Sequence, residues 1–559
     1  MLCRLRIRVG AVRRRSGSRD GGCRLGLDRR TVERVLGLVL LIWAGLWPRV
    51  LEAGEPVFIG RVVVHTLDVF GPEELKSFLN RGANALHVVT RESTVRRLLI
   101  FEEGDVYDPA TLAEAERNLR ALGLFRSVSI VAGEVRDGVV DVEVNVQDAW
   151  TVQIDPSVGS GGGAVGGGIA LGERNMLGLG ARVGVAFAKD PDRTYRSVDL
   201  LVPNFFLPFA TARALYSSNS DGYERILEVQ RPFYSTASRW SAAIAVADTQ
   251  RDEFTYEEGG AVRDTFGADH FRLLAAYGIA LPAREAYASR LSIGIDFRED
   301  RFRQASTGET GSLPADRQFR YVFLQYEALH ADFLKWNYVN QDDRYEDIRV
   351  GPRVLLRLGI SPAAFGVAET TGIVGLELGA GLRVGASGFV QARMAWNSRI
   401  GPRLENSLAS ASVLYVRRFE TAPRQTFVAQ LSGLRGWNLD ADVQIFADAL
   451  SGLRAYRLRA FEGDTRIILN LEHRIFSRMQ WFGAISPGLA VFFDAGLVGS
   501  PTRSLSLQET KMDAGLGLRF AVAWAPGMNV FRVDAGYAFQ RDPAGHKGLL
   551  ISFSVGQAF

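Results

Sequence analysis

The sequence predicts a mainly β chain: a transmembrane antiparallel β-barrel of about sixteen strands behind one small α/β domain. Three observations carry that expectation. From residue 150 onward no convincing helix appears, and segments of roughly eight to twelve alternating residues recur between turn residues. Glycine is abundant, 59 residues against 19 prolines, which suits strands that bend and approach closely. The final stretch, GLLISFSVGQAF, alternates: Ile551, Phe553, Val555 and Phe559 share one face, and Ser552, Ser554, Gly556 and Ala558 the other. An apolar face toward lipid, a polar face toward a lumen and an aromatic at the interface fit that pattern. A soluble edge strand alternates too. Length decides between them, because about 400 residues of strand exceed one sandwich and only closure removes the edges.

In chain order, residues 1–53 read as a signal or leader segment. Arginines crowd the start (Arg4, Arg6, Arg8, Arg13, Arg14, Arg15), an apolar run VLGLVLLIWAGLW follows at 35–47, and Ala53 precedes Gly54. The long basic stretch leaves the true translation start and cleavage site open. Both cysteines, Cys3 and Cys23, fall inside it, so a processed chain carries none, in keeping with an oxidising compartment. The segment holds 12 Arg and 4 acidic residues, a net +8, so the formal +4 of the whole becomes about −4 without it. No basic surface points to nucleic acid. No later apolar run is long enough for a membrane-spanning helix.

Residues 54–149 read as a compact α/β module. The run VFIGRVVV (57–64) is a strand and 90–100 a short helix. After Tyr107 comes the clearest helix: Asp108 as N-cap, Pro109 at the first position, and Leu112, Ala115, Leu119 and Leu122 along one face, with Gly123 ending it. Strands at 126–131 and 139–147 flank an Asp137-Gly138 turn, the second alternating through Val140, Val142, Val144 and Val146. The order strand–helix–helix–strand–strand, with EGDVYDPATLAEAERNLRALGLFRSVSI at its centre, resembles a POTRA (polypeptide-transport-associated) domain. The stretch 71–87 departs from that pattern. The resemblance implies a periplasmic domain that adds extended polypeptide to a sheet edge. A spacer or docking post is the alternative.

Residues 150–559 supply the barrel strands, among them 181–189, 224–230, 239–247, 291–297, 389–396, 489–496, 515–523 and 529–539. Tyr216, Phe233, Tyr234, Trp240, Trp396, Trp481, Phe482 and Trp524 lie near segment ends, as interfacial girdles require. Polar stretches at 251–269, 301–317 and 335–347 fit extracellular loops. The acidic run NQDDRYED (340–347) hints at calcium, but the ligand spacing and central glycine are missing, and a solvated loop is the simpler reading.

Catalytic chemistry is hard to find. The six histidines show no ligand spacing, and GxSxG and HExxH are absent. Glycines 161–168 lead into a strand rather than a helix, so no phosphate site follows. The expectation is therefore no enzyme and no cofactor.

Two arginine motifs precede the last strands: Leu434-Arg435-Gly436-Trp437 and Leu453-Arg454-Ala455-Tyr456. Barrels of the BamA/TamA family carry a Val-Arg-Gly-Tyr or Phe signature on a loop that folds back into the lumen, and both stretches resemble it. The first keeps the Gly. The second is better placed, being followed by Glu462-Gly463-Asp464, the strand RIILNLEHR (466–474), Phe492-x-Asp494-x-Gly496, Gly515-x-Gly517-x-Arg519 and Arg532-x-Asp534-x-Gly536. The motif is assigned to Leu453, Arg454, Ala455 and Tyr456, with Arg435 the alternative. An arginine on an inward loop needs a desolvated carboxylate, and its planar fork suits bidentate pairing. Asp494 is the first choice, with Glu472 and Asp534 nearby. GGGIALGERNMLGLG (166–180) resembles the family's opening strands. The resemblance implies an outer-membrane protein with its POTRA domain in the periplasm and a lateral seam between first and last strands. Its partners would be outer-membrane lipid, unfolded or secreted polypeptides, and periplasmic or lipoprotein accessory subunits. Assembly or translocation of polypeptides is the leading function. A two-partner secretion exporter and a passive pore are the alternatives; the former usually carries two POTRA domains and a plug helix, and one POTRA and no obvious plug are seen. The final strand would also serve as the address read during the barrel's own insertion.

Overall fold

The computed structural model describes residues 56–559, apart from 76–77, 162–163, 283–285, 306–310, 343, 482–484, 501, 523–529 and 559. The leader with Cys3 and Cys23, and the girdle and terminal residues Phe482, Trp524 and Phe559, lie outside the described residues.

The N-terminal module holds β1 (Phe58–Leu67), α1 (Phe78–Leu86), α2 (Glu92–Arg96), α3 (Pro109–Ala121), β2 (Phe125–Ala132) and β3 (Val139–Asp148). Its sheet order is β1-β3-β2, with β1 parallel and β2 antiparallel to β3. Helix α3 begins as the sequence requires: the Asp108 carboxylate accepts from Ala110 N (2.9 Å) and Thr111 N (3.1 Å), satisfying donors that lack intrahelical partners. Leu112, Ala115 and Leu119 bury against the alternate valines of β3, whereas Leu122 is exposed. The unexplained stretch 71–87 contains a short turn and α1. Asn84 holds that insertion by bonding both the N and O of Phe70 at 3.1 and 2.9 Å. Val69, Phe70 and Ala83 then pack with Trp150, so the insertion fills the corner where the module meets the barrel.

The barrel opens with β4 (Val152–Gly161), β5 (Ala164–Met176), β6 (Ala181–Lys189), β7 (Thr194–Pro203), β8 (Thr211–Asn219) and β9 (Gly222–Arg231). Longer strands follow: β10 (Trp240–Tyr256), β11 (Val262–Leu281), β12 (Tyr287–Gln304) and β13 (Arg317–His330). A small hairpin, β14 (Phe333–Trp336) and β15 (Glu346–Arg349), intervenes before β16 (Arg353–Ser361), β17 (Thr371–Val384), β18 (Gly388–Ile400), β19 (Leu404–Phe419) and β20 (Arg424–Trp437). A second hairpin, β21 (Ile445–Ala447) and β22 (Phe461–Gly463), sits in one loop. Then β23 (Thr465–Phe476), β24 (Ile485–Gly499), β25 (Lys511–Val522), β26 (Val530–Ala538) and β27 (Gly548–Val555) complete the wall. Among the described residues, and without the two small hairpins, twenty strands form one antiparallel sheet that curls until β27 stands beside β4.

Twenty replaces the expected sixteen. The early strands are short and joined by turns of few residues, such as Ser220 and Asp221 between β8 and β9, so composition marks no break between them. The wall inverts the pattern of a soluble protein. Val185, Leu227, Ile293, Leu431 and Ile551 are exposed outward, while Asp296, Glu472, Arg474, Asp494 and Asp534 are buried inside. Outward apolar and inward charged residues on alternate positions are what a lipid-facing barrel requires. No helix among the described residues is long and apolar enough to cross a membrane.

An even strand count leaves the first and last strand ends on one side, the side of the N-terminal module. Stretches 251–269 and 301–317 belong to the opposite side. Stretch 335–347 does not: it follows β13 on the module's side, where it forms the β14–β15 hairpin. Two of its acidic residues, Glu346 and Asp347, are tied to the protein rather than solvated. Glu346 accepts from Asn340 N, Asn340 Nδ2 and Gln341 N, and Asp347 takes Arg120.

Candidate functional site

The connection between β20 and β23, residues 438–464, turns back into the barrel. Its apolar residues drive it there: Leu453, Ala455, Tyr456, Ala460 and Phe461 bury against Ile468 of β23, Val498 of β24 and Ala538 of β26. Asp448 closes the loop on itself. Its Oδ1 accepts from Ser451 N at 3.0 Å and its Oδ2 from Arg459 N at 2.8 Å. Tyr456 Oη donates to Gln540 Oε1 (2.8 Å) and lies 3.0 Å from the Met512 carbonyl, tying the loop to the far ends of β25 and β26.

Arg454 is thereby delivered to the inner wall, 4% exposed. Its Nε and Nη2 donate to Asp494 Oδ2 and Oδ1 at 2.8 and 2.9 Å, a bidentate fork, and its Nη1 meets Glu472. The guanidinium carbon lies over the Phe492 ring, 3.7 Å from its centroid. Asp534, the third expected partner, stands one link away. It accepts from Arg519 Nη1 (2.6 Å) and Arg532 Nη1 (3.0 Å), while Arg519 Nη2 reaches Glu472 Oε2 at 3.2 Å. Glu472 is thus the hub, because Arg474 Nε also donates to its Oε1 at 2.7 Å. Asn470 Nδ2 supplies Asp494 Oδ1 with a further bond at 2.7 Å. Burying so many charges is tolerable only because nearly every carboxylate oxygen finds a guanidinium.

Arg435 stands elsewhere. On β20 it shares the outward face with Leu431, is exposed, and lies 5.1 Å from the Trp437 ring. The motif's departure from Gly to Ala at 455 has a local reason. A Cβ on Gly536 would stand 3.0 Å from the Ala455 Cβ, so the methyl occupies room that the bare glycine leaves. Two members of the network, Arg474 and Asn470, were not singled out from the sequence. The signal was there: Asn470, Glu472 and Arg474 follow one another at period two on a single face.

The module's junction with the barrel is a second polar cluster. Asp148, fully buried, accepts from Thr90 N (2.7 Å) and Thr90 Oγ1 (2.8 Å), and Asn175 Nδ2 of β5 donates to the same Thr90 oxygen at 2.7 Å. Thr94 Oγ1 and Arg91 N both donate to Gly178 O in the β5–β6 turn, at 2.8 and 3.1 Å.

On β27, Leu549, Ile551, Phe553 and Val555 point outward and are exposed, in alternation with Ser552 and Ser554. The strand stops at Val555. Gly556, with φ +85°, turns the backbone in a way a side chain would resist, and Gln557 leaves the apolar face to donate to Asn340 O at 3.1 Å.

No group of three or more metal-ligating side chains exists among the described residues. The arrangement holds a loop and a domain in place.

Residues 87–149 match the POTRA family model, described as surface antigen variable number repeat. The outer membrane protein assembly factor BamA of Neorickettsia risticii is 28% identical over 128 residues, 22% of this chain and 17% of the relative, so the match spans under a fifth of that protein. Among solved structures, BamA from Haemophilus ducreyi lacking POTRA domains 1–3 aligns over 90% of this chain and 85% of its own, at 12% identity and TM-score 0.37. CdiB from Acinetobacter baumannii aligns over 94% and 97%, at 11% identity and TM-score 0.44. A POTRA domain leading into an antiparallel barrel of lipid-facing design, with a BamA relative in sequence, is what the chain shares with the BamA/TamA-type family it resembles.

Proposed function

We propose that this chain is an outer-membrane barrel that assembles or translocates polypeptides, with its POTRA domain in the periplasm. The observation that carries the reading is the inward loop locked by Arg454 onto Asp494 and Glu472, in a barrel whose last strand stands beside its first. Such a lock costs buried charge, and a barrel that merely leaks solutes has no use for it. In the module, the outer edge of β1 is covered by residues 102–107, since Ile59 N donates to Asp105 O and Gly104 N to Ile59 O, both at 2.8 Å. That leaves β2 as the strand beside which an extended client would be added, displacing the Glu116 and Arg344 side chains that reach Ile130 N and Phe125 O. The seam between β27 and β4 would then template it, with no nucleotide.

The dedicated exporter of one client is the second reading. Depletion followed by outer-membrane proteomics separates the possibilities. Loss of many barrels supports a general assembly role, and loss of one secreted protein supports an exporter. An unchanged proteome, together with steady conductance that is indifferent to Arg454→Ala, would leave only a pore.

A further inference from the structure

Two crossbars span the lumen. On the far side, the 438–464 loop is rooted between β20 and β23 yet touches the opposite wall. Arg459 Nη2 meets Asp192 in the β6–β7 turn at 2.7 Å, and the side chain of Gln444 bonds the Tyr256 backbone of β10 twice at 2.8 Å. On the module's side, the β14–β15 hairpin does the same. It is rooted between the tenth and eleventh barrel strands, and Asn340 near its tip meets Gln557, just past the twentieth. In a ring of twenty those positions are half a turn apart. The hairpin crosses the mouth from wall to wall.

Three sets of contacts hold it. Leu334, Trp336, Val339 and Val350 bury on Phe389, Val416 and Val428 of β18, β19 and β20. The POTRA module grips it by ion pairs: Arg120 Nε and Nη2 to Asp347 Oδ2 and Oδ1, both 2.8 Å, and Lys335 Nζ to Glu116 at 2.6 Å. Arg344 Nη2 also donates to Phe125 O of β2 at 2.6 Å. Finally, Arg474 donates to Val339 O at 2.7 Å while its Nε holds Glu472, the hub of the Arg454 network. One buried arginine therefore touches the hairpin directly and the far loop through Glu472 of β23. Along the β16–β20 flank a cavity of about 880 Å³ remains, walled by small residues such as Gly379, Ala392, Ser410 and Ser412. The hairpin has room to swing there without the wall unfolding.

We propose that the β14–β15 hairpin is a plug that bars the periplasmic mouth, latched by helix α3 of the POTRA module and keyed through Arg474 to the Arg454 loop. The grip of the module is polar and partly solvated, hence readily exchanged, whereas the seat of the hairpin is apolar. A displaced module would release the plug, and the release would reach the far loop through Arg474 and Glu472. This holds whichever polypeptide the barrel handles.

Single-channel recording of the full chain in planar bilayers tests it, with heat-modifiable migration in gels as the check on assembly. Replacing 333–349 by a short Gly-Ser linker should raise conductance severalfold. Where that variant does not assemble, the pair Leu334→Ser and Trp336→Ser, which loosens the seat at constant chain length, gives the same readout. Asp347→Arg should make openings frequent, and adding Arg120→Asp should restore quiet traces. Arg474→Met should increase hydrogen exchange in both crossbars together. An assembled linker or seat variant that conducts like the wild type overturns the plug. Unchanged gating in Asp347→Arg overturns the latch, and loosening of one crossbar alone in Arg474→Met overturns the key.

Discussion

Arg454→Ala is the sharpest perturbation of the lumen network. The side chain makes three charge-assisted bonds, two to Asp494 and one to Glu472, with all three residues at most 4% exposed. Removing one partner of a buried ion pair costs roughly 3–5 kcal/mol, chiefly because the other charge is left without compensation. Here the loss falls unequally. Glu472 keeps Arg474 and Arg519, and Asp494 keeps Asn470 and the facing Asp513 carboxyl, so the lower end, about 3 kcal/mol, is expected. Most of it bears on the docked loop rather than on the wall, whose ladders on both sides of β24 do not involve the side chain. About 3 kcal/mol corresponds to roughly a hundredfold rise in the undocked population of 448–464. Hydrogen exchange of that segment, read beside heat-modifiable migration of the barrel, measures it. Arg454→Lys, which keeps the charge but loses the fork, should fall between, and adding Asp494→Ala to Arg454→Ala should recover part of the protection. Unchanged protection in Arg454→Ala would refute the reasoning. A full defect in Arg435→Ala would show that the outward arginine carries the role instead.

Other expected outcomes follow from particular residues. Ile551→Arg places a cation on the lipid face of β27 and should cost about 2–4 kcal/mol if it sits near the bilayer midplane, whereas Ser552→Arg on the lumen face should be tolerated; folding titrations into vesicles compare them. Gly536→Val should drive Ala455 off the wall and cost about 1–3 kcal/mol by overpacking, seen as faster exchange in the loop with the barrel intact. At the POTRA junction, burial, opposed by the two Thr90 hydrogen bonds and His87 and aided by Asp68, pushes the Asp148 carboxyl up to about 6. The folded form therefore holds its proton more tightly than the unfolded chain does. Its contribution to stability is complete below about pH 4 and is lost as pH rises through about 6. Asp148→Asn should flatten that slope in thermal unfolding. A wild-type slope of the opposite sign would contradict it.

Much of this was legible in the sequence, for reasons that can be stated. Helix α3 announces itself because its cap, its proline and its apolar stripe are all local. The lipid-facing pattern of β27 is equally local, since period two follows from the pleat. Arg454 could be assigned with Asp494 and Glu472 because the signature loop and the late strands follow in a set order. The strand number was not legible, because short glycine-rich strands joined by tight turns give no compositional edge. Nor was the hairpin at 333–349. Its polar run reads as solvated loop until partners such as Arg120 and Gln557, more than 200 residues distant, are brought to it. Arg474 was passed over because arginine is so rarely buried that composition argues against it.

The placement of β27 beside β4 bears on how the barrel is built. Every other ladder in the wall joins consecutive wall strands, most across short turns and two across the hairpin-bearing connections 331–352 and 438–464, so each closes a far smaller loop than the whole sheet. The seam alone brings the two ends of the sheet together, and Gln557 finds Asn340 only when nearly the whole wall is in place. The expected order of assembly therefore puts this contact last. The step that completes the ring in folding is then, run backward, the step that needs least disruption to open it.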